Sequence, residues 1–293
     1  MTATKCGVVA LAGRPNAGKS SLLNALIGQP LAMVSAKAQA TRLPTVGLRT
    51  EGATQMVLYD LPGLLEPDRL LHKRMAAAAA EILHLADVIV ALDPADVRSP
   101  PPRDALVAAG ARPSAVVIRC RTKADLVDAQ SPGDQGDGGL LVSARTGQGL
   151  DGLVAAIVAA LPEAPWRFPG DDLGTQPVRF FVGEYLREAA FELLSDEVPY
   201  AVTAVVEEFR EGTDPVYIRA ELFVERESQK KIVIGAGGQT IKAIGRHARV
   251  RLEELLGSRV YLETRVKVEP RWRESPELLS RFGYPPGSAG DRR

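Results

Sequence analysis

Cysteine and histidine are scarce in this chain, with two Cys and three His among 293 residues. Cys6 and Cys120 both lie in apolar, strand-like runs, which excludes a disulfide framework and reads them as small core residues. His72, His84 and His247 are far apart in sequence and show no ligand spacing, so no zinc site is expected. Net charge is also missing: 36 Lys and Arg offset 36 Asp and Glu, so any polyanion-binding surface must come from local clustering. No apolar run reaches 18 residues and the opening MTATKCG carries neither a leader nor an Arg-rich transit pattern, so a cytoplasmic chain is expected. A hydrophobic fraction of 45% supports two cores without staples or metals.

What is present begins with GRPNAGKS, residues 13–20, directly after the apolar run CGVVALA and before the helical SLLNALIG. The spacing Gly, four residues, Gly, Lys, Ser is that of a phosphate-binding loop, whose glycines let backbone N–H groups close around phosphate oxygens at a helix N-terminus. The candidates are Gly13, Arg14, Pro15, Asn16, Ala17, Gly18, Lys19, Ser20 and Ser21, with Lys19 at the β- and γ-phosphates and Ser20 on Mg²⁺. The plain alternative, a Gly-rich turn before a Lys, does not explain the strand before it and the helix after it.

Three further segments bear on which nucleotide. In VLYDLPG, residues 57–63, Asp60 closes an apolar strand and is placed to hold Mg²⁺ through water; Leu61 and Pro62 lead to Gly63, whose N–H meets the γ-phosphate. In AVVIRCRTKAD, residues 115–125, a strand ends in Thr122, Lys123 and Asp125, and a carboxylate there accepts both N–H donors of a guanine edge, a pair that adenine lacks. In LLVSARTG, residues 140–147, Ser143 and Ala144 bring backbone N–H groups toward the guanine carbonyl oxygen. Residues 36–47, AKAQATRLPTVG, form a polar stretch without helical period, in which Thr41 is expected to add its hydroxyl to Mg²⁺ when the γ-phosphate is present. The catalytic set is then Lys19, Thr41 and Gly63. Leu64 stands where Ras-type enzymes carry a water-orienting Gln, so intrinsic hydrolysis of GTP is expected to be slow or to place its water by some other means.

After the Pro-, Gly- and acid-rich stretch 161–177 the apolar pattern restarts with VRFFVGEYLREAAFELL, which marks a domain boundary. The expected organisation is a nucleotide-binding domain over 1–163, a linker over 164–177, a second domain over 178–284 and a disordered tail over 285–293. Two alternating runs, YAVTAVVEEF and VYIRAELFVE, precede VIGAGGQTIKAIG, a Gly-x-x-Gly turn from Gly235 to Gly238 between two short apolar helices. Such a turn lets a nucleic-acid strand approach the backbone and is the signature of a KH module, which clamps about four nucleotides of single-stranded RNA. Local charge agrees: Arg226 to Arg251 holds seven Lys and Arg against Glu227 alone, a net of 7 − 1 = +6. The candidate RNA contacts are Lys230, Lys231, Ile234, Gly235, Ala236, Gly237, Gly238, Ile241, Lys242 and Arg246, with Arg249 as a further phosphate contact.

Taken together, GRPNAGKSSLLNAL, KAQATR, DLPGL, TKAD and VSA, followed by VERESQKKIVIGAGGQTIKAIG, resemble the bacterial Era family of GTPases with a C-terminal KH domain, over residues 5 to about 284. The resemblance implies a Ras-like doubly wound α/β domain followed by an α+β type II KH domain. It implies GTP/GDP and Mg²⁺ as ligands, and the 3′ end of 16S ribosomal RNA and the 30S subunit as partners in small-subunit assembly. A monomer without a DNA partner, cytoplasmic and able to associate peripherally with the inner face of the membrane, is expected from the same source. The sequence departs from the family pattern at Thr122, where Asn is usual and a weaker tether of the guanine loop is expected. Lower nucleotide affinity is the expected consequence at Thr122. The sequence departs also at Ala40 and Leu61, both usually Thr, and at Ala236 and Gly237, which bring no side-chain charge to the turn. The rival expectations are an RNA-binding protein whose nucleotide domain has decayed, and a GTPase acting on a membrane or another protein.

Overall fold

The computed structural model describes residues 3–64, 67–95, 103–127 and 139–286. The Pro run at 98–102, nearly all of the Gly-rich SPGDQGDGG excursion and the tail from 287 lie outside the described residues. The chain divides into two compact units, one of residues 1–68 and 72–175, the other of 176–293 with 69–71.

The first unit is built on a six-stranded sheet of β1 (Lys5–Gly13), β2 (Thr45–Glu51), β3 (Thr54–Asp60), β4 (Val88–Pro94), β5 (Val116–Thr122) and β6 (Leu140–Leu141). The strand order is β2-β3-β1-β4-β5-β6, and every described pairing is parallel except β2 with β3. A parallel strand covered on both faces reads as a continuous apolar run, and KCGVVALAG does. Val9 and Leu11 face a core with Leu22, Leu23 and Leu26 of α1 (Lys19–Ile27) and Leu153 and Ile157 of α4 (Leu150–Ala160). Val8, Ala10 and Ala12 face the opposite core, with Ala79 and Leu83 of α2 (Leu70–Leu85) and Leu106 of α3 (Arg103–Ala108). This is the doubly wound arrangement, and it gathers the loops after β1, β3, β5 and β6 at the carboxyl ends of the strands, where such sheets bind ligands.

Residues 164–175, expected within a linker, run along the outer edge of this sheet. Leu48 N–H on β2 donates to Leu173 O at 2.9 Å, and Ala164 and Phe168 pack against Cys6, Val46, Leu48 and Val57. The wholly buried Gln55 clamps the strap: its Nε2 donates to Phe168 O at 2.8 Å, and its Oε1 accepts from the N–H groups of Arg167 and Phe168 at 2.9 and 3.1 Å.

The second unit runs α5 (Val178–Leu193), α6 (Val198–Ala201), β7 (Thr203–Arg210), β8 (Val216–Val224), α7 (Glu227–Ile234), α8 (Gln239–Leu256), β9 (Val260–Val268) and α9 (Pro276–Arg281). Its sheet has the order β7-β8-β9, antiparallel then parallel. Ile218, Ala220 and Leu222 are fully buried on β8, and Trp272 anchors the C-terminal end through Nε1–H to Ala201 O at 2.9 Å. Two sequence expectations change here. The Gly-rich turn is followed not by a short apolar helix but by an 18-residue amphipathic one, in which only Ile244, Ala248 and Leu252, four apart, are buried. The strand β9, which pairs along the whole of β8, was not expected.

Candidate functional site

The phosphate loop follows from where β1 ends. Gly13 sits beside β4 so closely that a Cβ there would lie 2.2 Å from Leu92 O, and Asn16 and Gly18 take left-handed φ values of 60° and 82° before α1 begins at Lys19. Lys19 is buried, and its Nζ donates to Gly13 O at 3.2 Å and Arg14 O at 2.7 Å. Burial lowers its pKa, while the charges of Asp60 and Asp93 act to raise it.

Three oxygens expected around Mg²⁺ meet although they come from separate segments. Ser20 Oγ donates to Asp60 Oδ2 at 2.6 Å, Thr41 Oγ1 donates to the same oxygen at 3.2 Å, and the two hydroxyls are 3.1 Å apart. Hard oxygen donors of this kind fit Mg²⁺. Asn16 Nδ2 donates to Ala36 O at 2.9 Å, which ties the phosphate loop to the polar stretch bearing Thr41. Gly63 approaches Pro15 so nearly that a Cβ would lie 2.7 Å from its nitrogen, and Leu64 N–H donates to Gly13 O at 3.1 Å. Pro15, Gly18, Lys19, Ser20, Ser21, Thr41, Gly63 and Lys123 all line one cavity of about 390 Å³. Leu61 is fully buried in the core facing α2, so its side chain is not part of that cavity, and Leu64 packs against the same core.

At the other end of the site Ser143 Oγ donates to Asp125 Oδ1 at 2.6 Å. That bond, ahead of Arg145 and Lys123, holds the Asp125 carboxyl below its ordinary pKa. Ser143 N–H is taken by Gln148 O at 2.9 Å. Thr122, where the family pattern has Asn, keeps a side-chain bond between the two loops. Its Oγ1 donates to Ala17 O in the phosphate loop at 2.7 Å and lies 3.3 Å from Asp93 O, so the shorter side chain still joins the two loops. Thr122→Val keeps the shape and removes this bond, which should weaken GTP binding about tenfold in a fluorescent-nucleotide titration. The sequence reading missed Asp93, wholly buried at the end of β4; its signal was an acid closing the otherwise apolar VIVAL.

The second unit carries the Gly-rich turn. Gly235, Gly237 and Gly238 have φ of 73°, 58° and 76°, and a Cβ on Gly235 would fall 2.2 Å from Thr240 Oγ1, so this backbone is built for glycine. Gln229 Oε1 accepts from the N–H groups of Glu225 and Arg226, fixing the start of α7. Ala236, Gly237, Lys231, Lys242, Arg246 and Arg249 are exposed; Lys230, Ile234 and Ile241 are half-buried. Arg251 is drawn inward, 3.0 Å from Glu188 and over the Tyr185 ring.

Residues 8–117 match a family described as 50S ribosome-binding GTPase, and residues 197–273 a KH domain. GTPase Era of Geotalea daltonii is 39% identical, over 95% of this chain and 97% of its own. The chain belongs to the GTPase Era family. GTPase Era of Mycobacterium avium is 37% identical over 97% of this chain and all of its own. The crystal structure of Aquifex aeolicus Era bound to GDP and AlF4⁻ shares 35% identity at a TM-score of 0.89, covering 97% of this chain and 100% of that one. A second Era structure, in complex with MgGDPNP and nucleotides 1506–1542 of 16S ribosomal RNA, shares 34% identity at a TM-score of 0.88, with the same coverage. As a member of this family, the protein is a GTPase whose ligands are GTP or GDP and Mg²⁺. No described helix is long and apolar enough to cross a membrane.

Proposed function

We propose that this protein binds the 3′ end of 16S ribosomal RNA through its Gly-rich turn and acts in the cytoplasm in assembly of the 30S subunit, with GTP binding and hydrolysis at the cavity after β1. The observation that carries the nucleotide half is the meeting of Ser20, Thr41 and Asp60 beside Lys19. Ser20, Thr41 and Asp60 would hold Mg²⁺, which would supply neutralisation of phosphate charge there. Phosphate-loop N–H groups and Lys19 bind the phosphates and stabilise the charge that builds on the transferred group. Gly63 N–H meets the γ-phosphate, and Thr41 reports its presence to residues 36–47. Asp125 accepts from the guanine edge, Lys123 lines the cavity, and the N–H of Ala144 is the donor for the guanine carbonyl oxygen. Leu64, packed into the core, orients no water, so intrinsic hydrolysis is slow.

The RNA half rests on a turn with three left-handed glycines flanked by exposed Lys231, Lys242 and Arg246, with Ile234 and Ile241 offering apolar contact to bases. The related Era in complex with nucleotides 1506–1542 of 16S ribosomal RNA supports this choice of RNA. Ala236→Asp puts a carboxylate at the exposed tip of the turn without touching the core. It should weaken binding of a 16S 3′-end oligonucleotide about tenfold or more while GTP binding is unchanged. Equal RNA affinity in the variant would remove the turn from the binding surface.

A further inference from the structure

The residue left unexplained by these assignments is Asp93. It is wholly buried, and neither carboxylate oxygen has a hydrogen-bond partner among the described residues. An ionised carboxylate in that condition is costly, and a fold keeps such a group only where something offsets it. Nothing in the sheet requires it. In register Leu92 pairs with Gly13, so Asp93 stands just past the end of β1, where the phosphate loop leaves the sheet. Its main-chain oxygen lies 3.3 Å from Thr122 Oγ1, which holds the residue between the phosphate loop and the guanine loop.

The cations around Asp93 both belong to the phosphate loop. Arg14 Nε is 3.9 Å from Oδ1, on a side chain that is otherwise mostly exposed, and Lys19 is the second. Burial raises the Asp93 pKa, and Arg14 and Lys19 pull it back. The interaction is mutual, since Asp93 is among the charges that favour the ammonium form of the buried Lys19. Phosphates entering the loop compete with Asp93 for those same two cations, and they meet a fixed negative charge that no hydrogen bond disperses.

We infer that Asp93 is an electrostatic brake on nucleotide affinity: it keeps the loop cations charged and seated while the site is empty, and it repels bound phosphate so that nucleotide leaves readily. The inference rests on the assignment of residues 13–20 as the phosphate site. Its distinguishing property is a dependence on ligand charge. A brake of this kind acts most on GTP, less on GDP, less again on GMP, and not on guanosine.

The test is a calorimetric and stopped-flow series with GTP, GDP, GMP and guanosine, each with Mg²⁺, on the full chain and on Asp93→Asn. Asn keeps the shape and removes the charge. The expected result is about tenfold tighter GTP binding, the size that repulsion between two unit charges about 12 Å apart gives at an effective dielectric near 20. The gain should appear as slower release, shrink from GTP through GDP to GMP, and vanish for guanosine. A gain in affinity cannot arise from misfolding. Asp93→Ala, the smaller variant, should show the same grading. Unchanged or weaker GTP binding, a gain shared equally by guanosine, or failure of both variants to fold would overturn the inference. A wild-type chain that binds GTP, GDP and GMP no more tightly than guanosine would instead sink the phosphate-site assignment beneath it.

Discussion

Asp125→Asn should cost GTP about a hundredfold in affinity and allow XTP to compete for the site, because charge-assisted hydrogen bonds are the strong ones and two are altered together. A carboxylate accepts from both N–H groups of the guanine edge. An amide presents one acceptor and one donor, which mismatches guanine but matches xanthine, whose corresponding edge offers one N–H and one oxygen. Competition of GTP, XTP and ATP against a fluorescent guanine nucleotide reads the switch directly, and undiminished GTP preference in the variant would remove Asp125 from base recognition. The Ser143 bond also fixes the sign of the pH response. Because it depresses the Asp125 pKa, the carboxylate persists below the usual range, so guanine preference should hold as pH falls from about 8 to about 5 and fail only at still lower pH.

Lys19→Ala should lower single-turnover GTP hydrolysis by at least about 10³-fold, since it deletes a preorganised cation at the transferred phosphate. That ammonium donates to Gly13 O and Arg14 O, so the group is held by the loop it serves. RNA binding by the variant should be unchanged, because the Gly-rich turn lies in the other compact unit. Hydrolysis within tenfold of wild type would place the chemistry elsewhere.

These residues were legible in the sequence to differing degrees, for physical reasons. The phosphate loop is contiguous, and strand, glycines and helix must follow one another in the chain, so GRPNAGKS could be read directly. Asp60 and Asp125 close or follow an apolar strand and Thr41 stands in the polar stretch before β2, so all three were readable as positions, though their meeting distances were not. Thr122 could be recognised as a change of residue type, but its effect depended on how near Ala17 O lies, which only the pairing of β1 with β4 and of β4 with β5 determines. Asp93 carries no motif: its meaning comes from Arg14 and Lys19, some 80 positions away in sequence and adjacent only across the β1–β4 pairing. In the second unit, YLETRVKV alternates with period two and could have been read as β9. The charge count drew notice to α7 and α8 instead.

The strap at 164–175 was the least legible element, because its Pro and Gly content suggests a free connection while its partners, Leu48 and Gln55, lie on strands far upstream. Its position has a consequence for solubility. β2 is the outermost strand on its side of the sheet, and an uncovered outermost strand invites pairing with another chain. By occupying the Leu48 N–H and covering Val46 and Val57, the strap seals that edge. An N-terminal fragment ending at Glu163 would expose the seam and self-associate, whereas one extended to Thr175 would carry its own seal.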